Sequence, residues 1–213
     1  MSAMADTSPF SAQAFRLRAQ KQVEPIEAVP EYGDHRFNPG HPRLSHNGVR
    51  LRPAAVLIPV VDHGDEATVL LTKRSETLRN HTGQVAFPGG RIDATDPTPE
   101  YAALRETQEE IGLPDRFIDV VGRMPDYVSG TGYRIAPVLS VVKPGFHLTL
   151  NPQEVDTAFE VPLRFLMDPA NHRQGSRMWN DLEWVFYEMP YDGQYIWGVT
   201  AGIIRTLYER LYA

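Results

Sequence analysis

The stretch FPGGRIDATDPTPEYAALRETQEEIGL, residues 87 to 113, contains a helix whose limits are written at both ends. Thr98-Pro99 opens it, with a hydroxyl to cap the first turn and a proline suited to it. Gly112 closes it, with Pro114 just beyond. Leu104, Thr107 and Ile111 fall on one side, so the helix needs a sheet to lie on. Glu106, Glu109 and Glu110 fall within about 100° of arc on the other. Carboxylates three and four residues apart repel by roughly 0.2–0.5 kcal/mol per pair. Arg105 flanks that face and neutralises only part of it.

A solvated acidic face is the ordinary fate of such a charge run. Two features argue for a cation instead. The i, i+3, i+4 spacing lets the three carboxylates converge on one point, and Gly89-Gly90 upstream allows a sharp turn with exposed backbone. Hard oxygen ligands in that pattern suit Mg2+ or Mn2+, which bind a few carboxylates together with water and substrate phosphates. The repulsion is then a cost of the empty state that cation binding reverses.

The rest of the chain predicts where the sheet comes from. Two β-rich runs, AAVLIPVV and ATVLLTKR, flank a hairpin-like turn at residues 62–65. GQVAFPGG is a third short strand, and further strands are expected at 117–128, 133–142 and 182–189. A C-terminal helix is expected from about Val199 to Leu211. Residues 8–21 form a short amphipathic helix in this reading, with Ser8-Pro9 as its cap and Phe10, Ala14 and Leu17 as its stripe. Residues 24–50, rich in Pro, Gly, His and Asn, form an extended arm without its own core. The expected organisation is an arm over 1–50 and one α/β domain over 51–213, with a mixed sheet between helices.

Composition sets limits on function. With 213 residues, 42% of them hydrophobic, the chain can bury a real core. A net charge of -6 argues against a general nucleic-acid or anionic-membrane binder, though a local basic site for a phosphorylated ligand remains open. There are no cysteines, hence no disulfide, thiolate metal site or cysteine nucleophile. The longest apolar run, residues 54–61, is far short of the ~20 residues of a membrane helix. The expected setting is cytoplasmic, as a monomer or homodimer.

The helix and the loop before it resemble the Nudix hydrolase box, G-x5-E-x7-R-E-U-x-E-E-x-G-U with U aliphatic. Gly90 starts it, and Arg105, Glu106, Glu109, Glu110, Gly112 and Leu113 match its end. The sequence departs in three places. Fourteen residues separate Gly90 from Arg105 where the box has thirteen, Asp96 stands near the place of the lone upstream glutamate, and Thr107 replaces an aliphatic residue. A second stretch, LLTKRSETLRNHTGQVAFPGG over residues 70–90, is similar to the extra signature of the coenzyme A diphosphatases. Leu70, Leu71, Thr72, Arg74, Ser75, Arg79, Gly83, Val85 and residues 87–90 carry that likeness. YRIAPVL, NPQEVDTAFEVPL and IWGVTA add to it less specifically.

The resemblance implies a Nudix α/β/α sandwich and metal-dependent hydrolysis of the diphosphate of coenzyme A or acyl-coenzyme A. Another nucleoside diphosphate derivative, or a non-catalytic nucleotide-binding module, is the alternative. Glu106, Glu109 and Glu110 are expected to hold the metal, with the Gly90 carbonyl as a further ligand. Glu106 and Glu154 both qualify as the carboxylate that deprotonates water. Glu154 follows Asn151-Pro152 on a loop, where functional residues often sit. Arg74 and Arg79 are the expected phosphate contacts. His81 is a weaker candidate for a base, and Gly130-Thr131-Gly132 reads as a turn more readily than as a phosphate cradle.

Overall fold

The first helix, α1 (Ala12–Gln20), starts at Ser11, whose hydroxyl accepts the Ala14 amide at 3.1 Å. In the computed structural model, residues 8–21, 32–41, 44, 50–76, 83–179 and 181–213 are described. The cap thus falls three residues after Ser8. The buried stripe is Ala12, Phe15 and Ala19, while Leu17 is exposed. The expected stripe gives way because Phe15 is the side chain that reaches the main core, and tertiary packing outweighs local cap preference.

After β1 (Tyr32–Gly33) come β2 (Arg52–Asp62) and β3 (Ala67–Arg74), the expected hairpin. The GQVAFPGG run forms two strands, β4 (Val85–Ala86) and β5 (Gly89–Arg91), joined through Phe87-Pro88. Then follow α2 (Pro99–Ile111), β6 (Ile118–Arg123), β7 (Tyr127–Val128) and β8 (Tyr133–Val142). β9 (Val155–Pro162) and the short α3 (Leu163–Leu166) precede a hairpin of β10 (Arg173–Trp179) and β11 (Leu182–Tyr191). β12 (Gln194–Trp197) and α4 (Val199–Leu211) end the chain.

The main sheet is mixed. β2 and β8 run parallel at its centre, from Arg52 beside Tyr133 to Val61 beside Val142. β3 is antiparallel to β2 only near the hairpin, at Val60–Asp62 against Ala67–Val69. Beyond that the two strands part. β3 continues with β4 on one edge and β9 on the other, while the first half of β2 takes β5 as its partner. The Phe87-Pro88 link spans the gap, and the Leu57 amide donates to the Pro88 carbonyl at 2.9 Å. This splay holds Gly89 and Gly90 at the edge of β2, under α2.

Helices cover both faces. On one, Ala102 and Ala103 of α2 pack with Ala55, Leu57, Ala136 and Val138, and small residues on both sides let the helix come close. On the other, Phe15 of α1 and Ile203, Ile204 and Leu207 of α4 share a core with Ile58, Leu71 and Leu139. This is the Nudix α/β/α arrangement. β10, β11 and β12 form a separate antiparallel sheet. The N-terminal segment packs onto this frame. β1 pairs with β7, and buried Asp34 accepts the Tyr127 hydroxyl and the Gly130 amide, both at 2.7 Å. Among the described residues no helix is long and apolar enough to cross a membrane.

One glycine tests this packing. A Cβ on Gly202 of α4 would lie 2.1 Å from the hydroxyl of Tyr127, which is fully buried. Alanine normally gains about 1 kcal/mol over glycine inside a helix. Here overpacking, typically about 1–3 kcal/mol, outweighs that gain. Gly202→Ala is therefore expected to lower Tm in a thermal melt. A Tm at or above wild type would mean that Tyr127 moves aside freely.

Candidate active site

The N-terminus of α2 is built as the sequence predicts. Thr98 accepts the Tyr101 amide at 3.2 Å, and Gly112 ends the helix in the left-handed conformation, φ 64°. Two close approaches at β5 then require glycine, one against β2 and one against the helix. Gly89 has φ 148°, and a Cβ there would sit 2.4 Å from the Ala55 carbonyl oxygen. A Cβ on Gly90 would sit 2.5 Å from the carboxyl carbon of Glu106.

The three glutamates look equivalent in sequence, and the fold separates them. Their side chains are 17%, 54% and 5% exposed for Glu106, Glu109 and Glu110. Glu110 accepts the Gly89 amide at 3.0 Å and lies 3.6 Å from an Arg74 Nη. Burial still dominates and pushes its carboxyl up to about 7, against the pull of Gly89 and Arg74. Burial also raises Glu106, with Arg105 opposing it.

Arg105 organises the exposed side. Its Nε and Nη2 donate to the two oxygens of Asp96 at 3.0 and 2.8 Å, a bidentate pair. Its Nη1 donates to Glu106 at 3.0 Å and to Glu109 at 3.1 Å, and Nη2 also reaches the Arg91 carbonyl. The Arg105 guanidinium lowers the carboxyl of Asp96, which is 1% exposed on its side chain. The Asp96 departure thus has a structural role, and its pairing with Arg105 is what sequence reasoning missed. The third departure is also explained, because buried Thr107 donates its hydroxyl to the Ala103 carbonyl at 2.7 Å and brings no unpaired polar group into the interior.

The other sequence candidates divide. Glu154 sits in the turn before β9, with Asn151 donating to it at 3.3 Å, and its charge raises both Glu106 and Glu110. Arg74 reaches the carboxylate group, and its buried Nε has no hydrogen-bond partner among the described residues. Arg79 and His81 lie outside the described residues. Gly130 gives its amide to Asp34, so that glycine pair is a structural turn.

Among the described residues no three His, Asp or Glu side chains are gathered closely enough to hold a metal ion in this arrangement. The donor set nonetheless fits a hard dication. It is all oxygen, Glu106 lies directly on the Gly90 backbone, and the buried Glu110 carboxyl gains from any added positive charge.

A family model for the NUDIX domain matches residues 50–188. The Nudix hydrolase NudL of Cronobacter sakazakii is 42% identical over 180 residues, covering 81% of this chain and 89% of that one. NudL of Klebsiella pneumoniae is 41% identical over the same shares. Among solved structures, the protein DR0079 of Deinococcus radiodurans aligns over 76% of this chain and 87% of its own, with a TM-score of 0.50 and 14% identity.

Glu110 makes stability depend on pH. A carboxyl whose native pKa lies above its unfolded value of 4.5 favours the fold only while protonated. Its contribution is lost as pH rises from 4.5 toward about 7. With a chelator present, Glu110→Gln is expected to melt above wild type at pH 8, by on the order of a few degrees. The two should converge near pH 5. Adding Mn2+ at pH 8 should then raise the wild type more than the variant. A variant that melts below wild type at pH 8 would show that ionised Glu110 is net favourable through Arg74 and Gly89.

Proposed function

This chain belongs to the Nudix hydrolase family, and from that premise we propose that it cleaves the diphosphate of coenzyme A or a derivative. The products are 4′-phosphopantetheine, or its acylated form, and adenosine 3′,5′-bisphosphate. The observation that carries this reading is the segment at residues 70–90. Its matching residues among those described lie on β3, β4 and β5, from Arg74 beside Glu110 to the two glycines under α2. The substrate-class signature and the carboxylate site therefore share one stretch of chain.

Glu106, Glu109 and Glu110, with the Gly90 carbonyl, are the proposed ligands of Mg2+ or Mn2+. The cation supplies charge neutralisation at the diphosphate and lowers the barrier to attack by water. Arg74 is proposed to meet a phosphate oxygen beside the carboxylates, since its Nε is buried without a partner among the described residues. Glu106 is held by Arg105 and pressed on Gly90, whereas the Glu154 carboxylate has one long contact, from Asn151, among the described residues. Glu154 is accordingly the better-placed base, and Glu106 the ligand.

The reading is tested by mass spectrometry on purified protein incubated with nucleoside diphosphate derivatives, with and without Mn2+. Coenzyme A or an acyl derivative should be cleaved fastest, giving the two products above. Preferred cleavage of ADP-ribose or a dinucleotide would replace the substrate, and binding without any cleavage would replace catalysis by a binding role.

The base assignment has its own outcome. Loss of a general base costs about 10²–10⁴-fold in rate. Glu154→Gln should lower kcat by that much with Tm unchanged. A loss under about threefold would return the role to Glu106.

A further inference from the structure

Behind the carboxylate site, on the other side of β3, lies a cleft of about 460 Å³. Lys73 lines it, while the next residue, Arg74, reaches Glu110 on the side of α2 across a register shift in the pairing of β3 with β9. The cleft lies between the end of β3, the residues entering β4, and the three-stranded sheet. Its walls include Lys73, Gln84, Arg177, Gln194, Tyr195 and Trp197.

The chemistry of these walls is specific. The Arg177 guanidinium lies 4.5 Å from the centre of the Trp197 ring and 5.8 Å from that of Phe186. An arginine held over a ring keeps N–H groups available for another acceptor. Neither Lys73 nor Arg177 has an ion-pair partner among the described residues. That is unexpected in a chain with 27 acidic and 21 basic side chains, where a carboxylate partner should be easy to find. The nearby carboxylate of Glu188 accepts the Tyr195 hydroxyl. Tyr195 keeps 39% of its surface exposed and stacks on Trp197 with ring centres 6.0 Å apart.

Two cations without an ion-pair partner among the described residues call for an anion. An exposed ring beside a guanidinium calls for a flat, π-rich partner, and aromatic and arginine planes are the usual platforms for nucleobases. Amides such as Gln84 and Gln194 carry both donors and acceptors, as a heterocycle edge requires. The volume falls within the range of roughly 300–1,000 Å³ typical of small-molecule sites. We propose that this cleft binds a phosphorylated heteroaromatic ligand of the nucleotide class, with its phosphate between Lys73 and Arg177 and its ring against Tyr195. The inference does not depend on which diphosphate the carboxylate site cleaves. The nucleotide is either the far end of the hydrolysed substrate or a separate molecule.

Adenosine 3′,5′-bisphosphate, adenosine and inorganic phosphate serve as probes, titrated by calorimetry into the full chain. The bisphosphate should bind saturably and more tightly than either of the others, since it alone offers both charge and ring. Arg177→Gln and Lys73→Gln should each weaken it by about tenfold or more, with Tm unchanged. Arg177→Lys, which keeps the charge but loses the plane, should fall between wild type and Arg177→Gln. No saturable binding overturns the proposal, as does a change under about twofold in both glutamine variants. A second arm separates the sources. If Arg177→Gln raises KM for hydrolysis with kcat kept, the cleft holds the substrate's own nucleotide end. If it weakens the bisphosphate and leaves KM unchanged, the ligand is a separate nucleotide. The binding arm stands even if no hydrolysis is found.

Discussion

Glu106 occupies the space that a side chain at position 90 would need, with its carboxyl carbon 2.5 Å from where a Cβ would stand. The rest of the site depends on that close approach. α2 can settle on β5 only because residue 90 lacks a side chain, just as β5 can settle on β2 only because residue 89 lacks one, and with the helix in place Glu110 is walled in. The Gly89 amide and Arg74 offset part of the cost of burying its charge, yet the balance still favours the protonated form up to about pH 7. Two carboxylates, Glu106 and Glu154, add repulsion. A fold with this much unbalanced negative charge at one point is poised for a cation, because positive charge there relieves burial and repulsion together.

Arg105 keeps the outer carboxylates from adding to the problem. It meets Asp96, Glu106 and Glu109 with one guanidinium, and the bidentate contact to Asp96 fixes the plane of that group. Asp96 is one methylene shorter than the glutamate of the family box, and the loop from Gly90 to Arg105 is one residue longer. The shorter carboxylate at the box position still meets the arginine, which holds it with two hydrogen bonds.

The helix was legible because local chemistry decides its ends. Thr98 and Gly112 act within one turn of themselves, and the apolar run of β8 is likewise set by residues that are buried along its whole length. Where exposure is nearly complete, the pattern vanishes. β10 (RQGSRMW) is exposed at almost every position and carries no alternation to find. β9 was missed for a related reason, since most of VDTAFEVP is only partly buried and its charges mask the strand. In α1 the periodicity was present but its phase was not, because the choice of Phe15 over Leu17 belongs to the core it meets. At the site, the set Glu106, Glu109, Glu110 and Arg74 could be found from spacing and likeness. The inequality of the three glutamates could not, since it depends on which side of the helix meets β5 and the distant β9, and spacing within the helix does not reveal that.

The second sheet shows how far side chains can substitute for strand pairing. β12 pairs with β11 only from Glu188 to Tyr191, so the edge of β11 before it has lost its neighbour. Asn38 stands in that place. Its amide donates to the Val185 carbonyl at 2.9 Å and accepts the Val185 amide at 2.8 Å, as another strand would. Four residues earlier, Asp34 binds Tyr127 and Gly130 on the main sheet, and Trp184 packs so closely on Gly130 that a Cβ there would lie 2.4 Å away. A short N-terminal segment without a core of its own therefore ties β7 to β11. Breaking it at Asp34 would leave the Tyr127 hydroxyl and the Gly130 amide buried without that acceptor, which typically costs about 1–3 kcal/mol per group. The placement of β10 to β12 over the end of β3, and with it the cleft between Lys73 and Arg177, thus depends in part on residues at the far end of the chain.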